Sequence, residues 1–358
     1  MLRTYGLPKE SRASHAHFLK SHGFDSVVLG PDETPLTIQP ALDANLHVWS
    51  CRPAFSVRHL PSPEAAPYLS QDPDGHPLIW FGSGCPNQPA LRQAHVGVIE
   101  QLARSGHFAG FMLDGIRFAS PTAAEGFFTC FCAECARKAD ELALDFDRMR
   151  RGAAALRDDL ASAAAPLAAS PAAFAAALAQ RLGAAAWLRF RAACITEHVR
   201  EVRAAVDRVS QQTGRRFLLG AYLFTPSFAP LVGQDYRALV PLLDIISPMI
   251  YRTLGGDSTL AAEWSSLARI NALPTHGEFS VDDVEAEVAA ARALVPAAGA
   301  ELVPILRLTD NCVGDVTRAA LDAGADGLDY FIFRPEHESY VTEAAQAFTG
   351  ETRKTRSS

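Results

Sequence analysis

Phe108-Ala109-Gly110-Phe111-Met112-Leu113-Asp114 is a short apolar run closed by a carboxylate. A strand buried on both faces reads as a near-continuous apolar run rather than an alternating one. The segment therefore predicts a parallel strand over 108–114. Seven similar runs lie on either side of it, at 3–6, 26–30, 46–51, 217–224, 245–251, 301–308 and 327–333. Between most of them the pattern turns helical, at 9–22, 90–104, 187–210 and 316–323. A further helix ending near Leu294 opens at Ser280-Val281-Asp282-Asp283, a capping box with Asp in place of the usual Glu or Gln. Eight such strands alternating with helices are the count for an α/β fold of the (β/α)8 TIM-barrel type. A doubly wound open sheet competes, but it usually carries a glycine-rich phosphate loop after its first strand. Here Gly6-Leu7-Pro8-Lys9 follows instead.

The spacing is uneven. The fourth and fifth runs are separated by a long insertion, about 119–213, that holds a cysteine cluster and an alanine-rich stretch near 153–186. Alanine has the highest helix propensity, so this stretch predicts a helical hairpin broken at Pro166 and Pro171. Residues 59–76, rich in Pro, Ser and Asp, predict a loop. The whole reads as one barrel domain over 1–349, with a polar, disordered tail at 350–358.

Composition narrows the function classes. Of 358 residues, 48% are hydrophobic and 20% charged, which excludes general disorder. The net charge is -7, from 33 basic and 40 acidic side chains, with no basic stripe for nucleic acid. No apolar run reaches the ~20 residues of a membrane span. The N-terminus lacks the charged-then-apolar layout of a signal peptide, so a cytoplasmic location is expected. The oligomeric state is not readable from the sequence.

In a barrel, the active site lies at the C-terminal strand ends. Asp114 closes the fourth strand, and Arg117 stands three residues on, able to hold it ionised. Without a job, the two would simply be a buried pair tying down a loop. Other strand ends add His47, Trp49, Arg52, Tyr222, Tyr251, Arg252, Arg307, Asp310, Asp329, Tyr330 and Arg334, and the loop after the sixth strand adds Glu278 in His276-Gly277-Glu278. Aromatic faces beside hydrogen-bonding charges suit a sugar ring, which has apolar CH faces and a polar rim. Taken singly, His47 or Tyr222 reads better as core.

The seven cysteines are an odd number, and three fall in Cys130-Phe131-Cys132-Ala133-Glu134-Cys135. This CxCxxC run offers three of the four tetrahedral thiolates that Zn²⁺ takes. Cys85, in Gly84-Cys85-Pro86-Asn87, is the candidate fourth. Four thiolates would make a closed, structural zinc site. The alternative is three reduced thiols packed beneath a loop. Cys51, Cys194 and Cys312 read as buried apolar fillers. No organic cofactor is expected.

Together, Gly84-Cys85-Pro86-Asn87, Leu113-Asp114-Gly115-Ile116-Arg117-Phe118 and the CxCxxC run resemble the barrel domain of glycoside-hydrolase-like proteins, related in pattern to family 10-like and alpha-amylase-like barrels. Ser247-Pro248-Met249-Ile250-Tyr251 resembles their Pro-Met-x-Tyr motif. The placement of CxCxxC after the fourth strand is similar to glycoside hydrolase family 42, where such cysteines and one earlier cysteine bind zinc. Family 42 carries its acid/base Glu at an Asn-Glu pair shortly before the cysteines, and this sequence has none there. Asp114 at the fourth strand end is closer to the alpha-amylase-like pattern, where a fourth-strand Asp is the nucleophile and a nearby Arg orients it.

The resemblance implies a glycoside hydrolase acting on a carbohydrate substrate, an oligosaccharide and, given the arginines, an acidic one. Asp114 would be nucleophile or base, and Arg117, Trp49, Tyr222, Tyr251 and Arg307 would bind the sugar. The second carboxyl that the reaction needs would come from Glu278, Asp329 or Asp310. A non-catalytic glycan-binding barrel is the alternative. An aldolase or isomerase is a weaker one: Gly324-Ala325-Asp326-Gly327 looks like a phosphate-site turn, but no strand ends in a Schiff-base lysine.

Overall fold

The computed structural model describes residues 1–162, 167–253, 260–270 and 278–355. Eight parallel strands follow one another around a ring. They are β1 (Leu2–Tyr5), β2 (Ser26–Leu29), β3 (His47–Pro53), β4 (Gly110–Asp114), β5 (Leu218–Leu223), β6 (Ile245–Pro248), β7 in two pieces (Glu301–Leu302 and Ile305–Arg307) and β8 (Leu328–Phe331). β8 closes on β1, with Leu2 opposite Leu328 and Tyr5 opposite Phe331. β7 is split at Val303-Pro304 because proline has no N–H to give the ladder. The ring survives the split: the Val303 N–H bonds the Ile246 carbonyl, and the Asp329 N–H bonds the Pro304 carbonyl. Closure leaves no sheet edge, and the predicted barrel is the observed one.

Around the ring run α1 (Arg12–Ser21), α2 (Pro35–Asp43), α3 (Pro89–Ser105), α4 (Ala133–Glu141), α5 (Phe146–Ser162), α6 (Pro171–Ala179), α7 (Leu182–Thr213), α8 (Leu260–Ile270), α9 (Val281–Leu294), α10 (Val313–Asp322) and α11 (Glu338–Thr355). The Ser280 box forms as read, with the Asp283 carboxylate accepting from the Ser280 N–H at 2.8 Å. Pro171 opens α6, capped by Ser170. Pro166 lies outside the described residues.

α7 has two jobs. Its first turns cross α5 at a glycine pair, Gly152 against Gly183, so closely that a Cβ on Gly183 would stand 2.7 Å from the Gly152 Cα. Its later turns bond α3 through Arg92–Glu201 and Arg104–Gln212. The second half of α7 is thus part of the barrel's outer ring, and the inserted part ends before residue 213. The segment 59–76 is only partly loop: it holds a short helix, Ser62–Ala65, and a strand, Ser70–Gln71, paired antiparallel with Pro77–Leu78. α11 runs to Thr355, into the stretch read as tail, because Val341, Ala344, Ala345 and Ala347 on its preceding turns are buried. Residues 356–358 lie outside the described residues. No described helix is long and apolar enough to cross a membrane.

The middle of the barrel is polar. Arg3, Asp329 and Trp49 are all buried there. The Arg3 guanidinium lies 5.1 Å from the Trp49 ring centre, and its Nε donates to Asp329 at 2.8 Å. Gly110 makes room for the indole: a Cβ at that position would meet the Trp49 ring at 2.5 Å.

Candidate active site

At the C-terminal ends of the strands opens a cavity of about 350 Å³. Tyr5, Cys51, Asp114, Tyr222, Tyr251 and Phe331, from five strands and the segment after β6, contribute to its wall. Among the described residues lining it, Asp114 is the sole carboxylate. Register explains its position. Asp114 is the last residue of β4, opposite Pro53, where the Ala54 N–H takes the Asp114 carbonyl at 2.8 Å and ends the pairing.

Arg117 stands 3.7 Å from the Asp114 carboxylate, and its side chain is almost wholly buried. Its guanidinium lies 5.0–5.4 Å from the ring centres of Trp80, Phe81 and Phe224. Cation–π contact and the neighbouring carboxylates offset the cost of burying that charge. Burial still lowers the Arg117 pKa, against the charges of Asp114 and Glu263.

Aromatic rings build the floor. Tyr5 packs on Phe331 at 5.4 Å between centroids, and Tyr251 packs on Phe331 at 5.5 Å. Burial, with the nearby Asp329 and Asp114 charges, holds the Tyr251 phenol far above its usual range, and burial does the same for Tyr5 and Tyr222. All three remain neutral hydroxyls. The Tyr222 hydroxyl donates to Asp329 at 2.8 Å. That bond turns the Tyr222 hydroxyl toward the buried Asp329 carboxylate, while Tyr222 itself lines the cavity.

Six sequence candidates sit outside the cavity wall. Asp329 is fully buried beneath the floor, paired with Arg3 and Tyr222; burial raises its pKa, and Arg3 opposes that. Its place within β8, level with Arg3 and Ile305, puts it inside the barrel rather than at the mouth. Trp49 is 2% exposed and packs in that same layer. Glu278 is half exposed and 3.9 Å from Arg252, away from the cavity wall. Asp310 is locked to Arg252 at 2.7 Å. Arg307 is half-buried, with its guanidinium 5.9 Å from the Tyr251 ring. His47 starts β3, at the end of the barrel away from the mouth. His276 and Gly277 lie outside the described residues.

One acidic residue escaped the sequence reading. Glu263, in the first turn of α8, is fully buried. Its carboxylate accepts from the Ser120 hydroxyl at 2.5 Å and from the Thr122 hydroxyl and N–H at 3.0 and 3.2 Å. Burial pushes it up to about 7, against those bonds and the Arg117 charge. In sequence it looks like any first-turn helix acid, and nothing local marks it.

The four cysteines do converge. Cys85, Cys130, Cys132 and Cys135 are buried, with their sulfurs within 4.8 Å of one another. Cys85 stands 3.4 Å from Cys135 and 3.6 Å from Cys132. Backbone N–H groups of Asn87 and Gln71 reach Cys85 and Cys130 at 3.3 Å, and the Asn87 amide reaches Cys135 at 3.3 Å. Hydrogen bonds from Cys130, Cys135 and Cys85 hold the Cys132 thiol far below its usual value. Four sulfurs gathered this closely and supported by N–H donors can hold a metal ion.

No protein-family model matches this sequence, and no curated protein does. Solved structures do match the fold. A beta-galactosidase from the Antarctic haloarchaeon Halorubrum lacusprofundi aligns over 98% of this chain and 58% of its own, at 14% identity and a TM-score of 0.61. The PgaB (BpsB) glycoside hydrolase domain from Bordetella bronchiseptica aligns over 95% of this chain and 97% of its own, at 13% identity and 0.60. A beta-galactosidase from the psychrophilic Marinomonas ef1 aligns over 99% and 60%, at 13% and 0.59. The chain thus spans under two thirds of the length of both galactosidases. At these identities the likeness is one of fold alone, an α/β barrel.

Proposed function

We propose that this chain hydrolyses a glycosidic bond, with Asp114 as nucleophile or base. The observation that carries the reading is the placement of Asp114: the one carboxylate among the described residues lining a cavity at the C-terminal strand ends, beside a buried arginine and above an aromatic floor. Glycoside hydrolysis passes through an oxocarbenium-like state that an ionised carboxylate attacks or stabilises, or for which it activates water. Arg117, 3.7 Å away, aims the Asp114 carboxylate. Tyr5, Tyr251 and Phe331 offer faces for the sugar ring. Arg58 and Arg117 in the same wall favour an acidic sugar.

The test is a hydrolysis screen that includes uronic-acid oligosaccharides, run on wild type and Asp114→Asn together. Asp114→Asn is expected to fold normally and lose turnover by roughly a thousandfold or more. Equal turnover in the two proteins refutes the assignment.

One observation favours a second reading, a barrel that binds a glycan without cutting it. The reaction needs a second carboxyl, and the described lining residues hold only Asp114. That reading expects sugar binding that survives Asp114→Asn and no product from either protein.

The cysteine cluster is proposed as a structural zinc site. Zn–S bonds of ~2.3 Å in a tetrahedron set sulfurs about 3.8 Å apart, close to the 3.4 and 3.6 Å between Cys85 and its two neighbours. Four thiolates leave no open position for substrate, so the metal would supply folding energy, not chemistry.

A further inference from the structure

We propose that Glu263 is a positioning residue for the Asp114–Arg117 pair: through Ser120 and Thr122 it fixes the loop that carries Arg117, and its charge competes with Asp114 for the Arg117 guanidinium. The inference rests on the proposed glycosidase site and adds to it a residue that lines no part of the cavity.

The geometry is specific. Three donors reach one buried carboxyl, and all three belong to Ser120 and Thr122, three and five residues after Arg117. Glu263 comes from α8, which packs on the turn Pro121–Phe128. It therefore joins two segments that follow different strands of the barrel. Arg117 is held from several sides, by Asp114 at 3.7 Å, by the rings of Trp80, Phe81 and Phe224, and by the field of Glu263.

A guanidinium shared between two carboxylates stabilises each less than it would stabilise one alone. Neutral Glu263 draws little on Arg117; ionised Glu263 draws on it in competition with Asp114. Among the described residues, Arg117 is the charged group that bears most on Glu263, with the Ser120 and Thr122 hydroxyls as its neutral partners. The burial that raises Glu263 to about 7 brings this exchange into the neutral range.

The experiment compares wild type, Glu263→Gln and Glu263→Ala. The first readout is kcat and KM from pH 5 to 9 on whichever glycan the screen identifies. Glutamine keeps an acceptor for Ser120 and Thr122 but cannot ionise. Glu263→Gln is expected to fold, keep KM within about twofold, and lose the inflection in kcat near neutral pH. Glu263→Ala is expected to lose kcat about tenfold or more through the freed loop. An unchanged pH profile in Glu263→Gln overturns the proposal, as does a loss of stability in both variants with kcat per folded molecule intact.

The second readout needs no turnover. The ¹³C carboxyl resonance of Asp114 is expected to move near neutral pH as Glu263 ionises, a change that Glu263→Gln abolishes. If wild type cuts no glycan, the glycosidase reading fails while this titration still decides the coupling. An Asp114 resonance identical in wild type and Glu263→Gln overturns the coupling whatever the activity.

Discussion

Arg117 shows how far a single side chain can be read before the fold is known. Its spacing from Asp114 suggested a pair, and the pair forms. The aromatic cage around it comes from residues 80, 81 and 224, which no local pattern links to it. Glu263 was illegible for the same reason: its partner Ser120 is 143 positions away. Two buried residues also make opposite pH predictions. Native Glu263, raised to about 7, holds a proton that the unfolded chain releases near 4.5. Its contribution to stability is therefore complete below 4.5 and is lost as the pH rises through 7, on the order of 3 kcal/mol. His95, buried against His198 at 2.8 Å, is held down to about 3 by burial and by that neighbour. The unfolded chain takes a proton near 6.5 that the native state refuses, so this contribution is complete above 6.5 and is lost as the pH falls toward 3. Melting curves from pH 4 to 8 should show Glu263→Gln without the decline between 4.5 and 7. Parallel curves for variant and wild type would exclude it.

Helices and strands were the most legible part. Strand runs are local, because burial on both faces demands apolar residues one after another. The two-piece β7 and the double duty of α7 were not legible. Pro304 lies inside a run that otherwise reads as one strand, and α7 is one continuous helical pattern whose partners change along its length. The crossing of α5 and α7 makes a test at this scale. At Gly183 there is no space for a methyl group, with the Arg148 carbonyl 2.9 Å from the ideal Cβ as well as the Gly152 Cα at 2.7 Å. Gly183→Ala gains helix propensity but must push two backbones apart. The overpacking is expected to win, destabilising by about 1–3 kcal/mol. A denaturant midpoint equal to or above wild type would contradict it.

Across the whole molecule, the cysteine cluster joins parts distant in sequence. Cys85 lies before α3, and the other three open the insertion; Gln71, from the hairpin, bonds both Cys130 and the Phe131 N–H. If zinc sits there, Cys132→Ser or chelation is expected to lower the melting temperature by several degrees and leave turnover of the folded fraction unchanged. About one metal per chain should be lost with it. Metal-free protein of full stability would refute the site. The chain by itself determined the barrel, since eight apolar runs spaced by helical segments have few other ways to bury themselves. It also offered the CxCxxC run with Cys85 as a candidate metal site, because three thiols fall within six residues. Only the tertiary structure decided which strand-end residues face the cavity. Successive side chains on a strand point to opposite faces, and the height of each in the barrel depends on register with its neighbours. Asp114 reaches the mouth by ending its strand, while Asp329, level with Arg3 inside the ring, is held in the core.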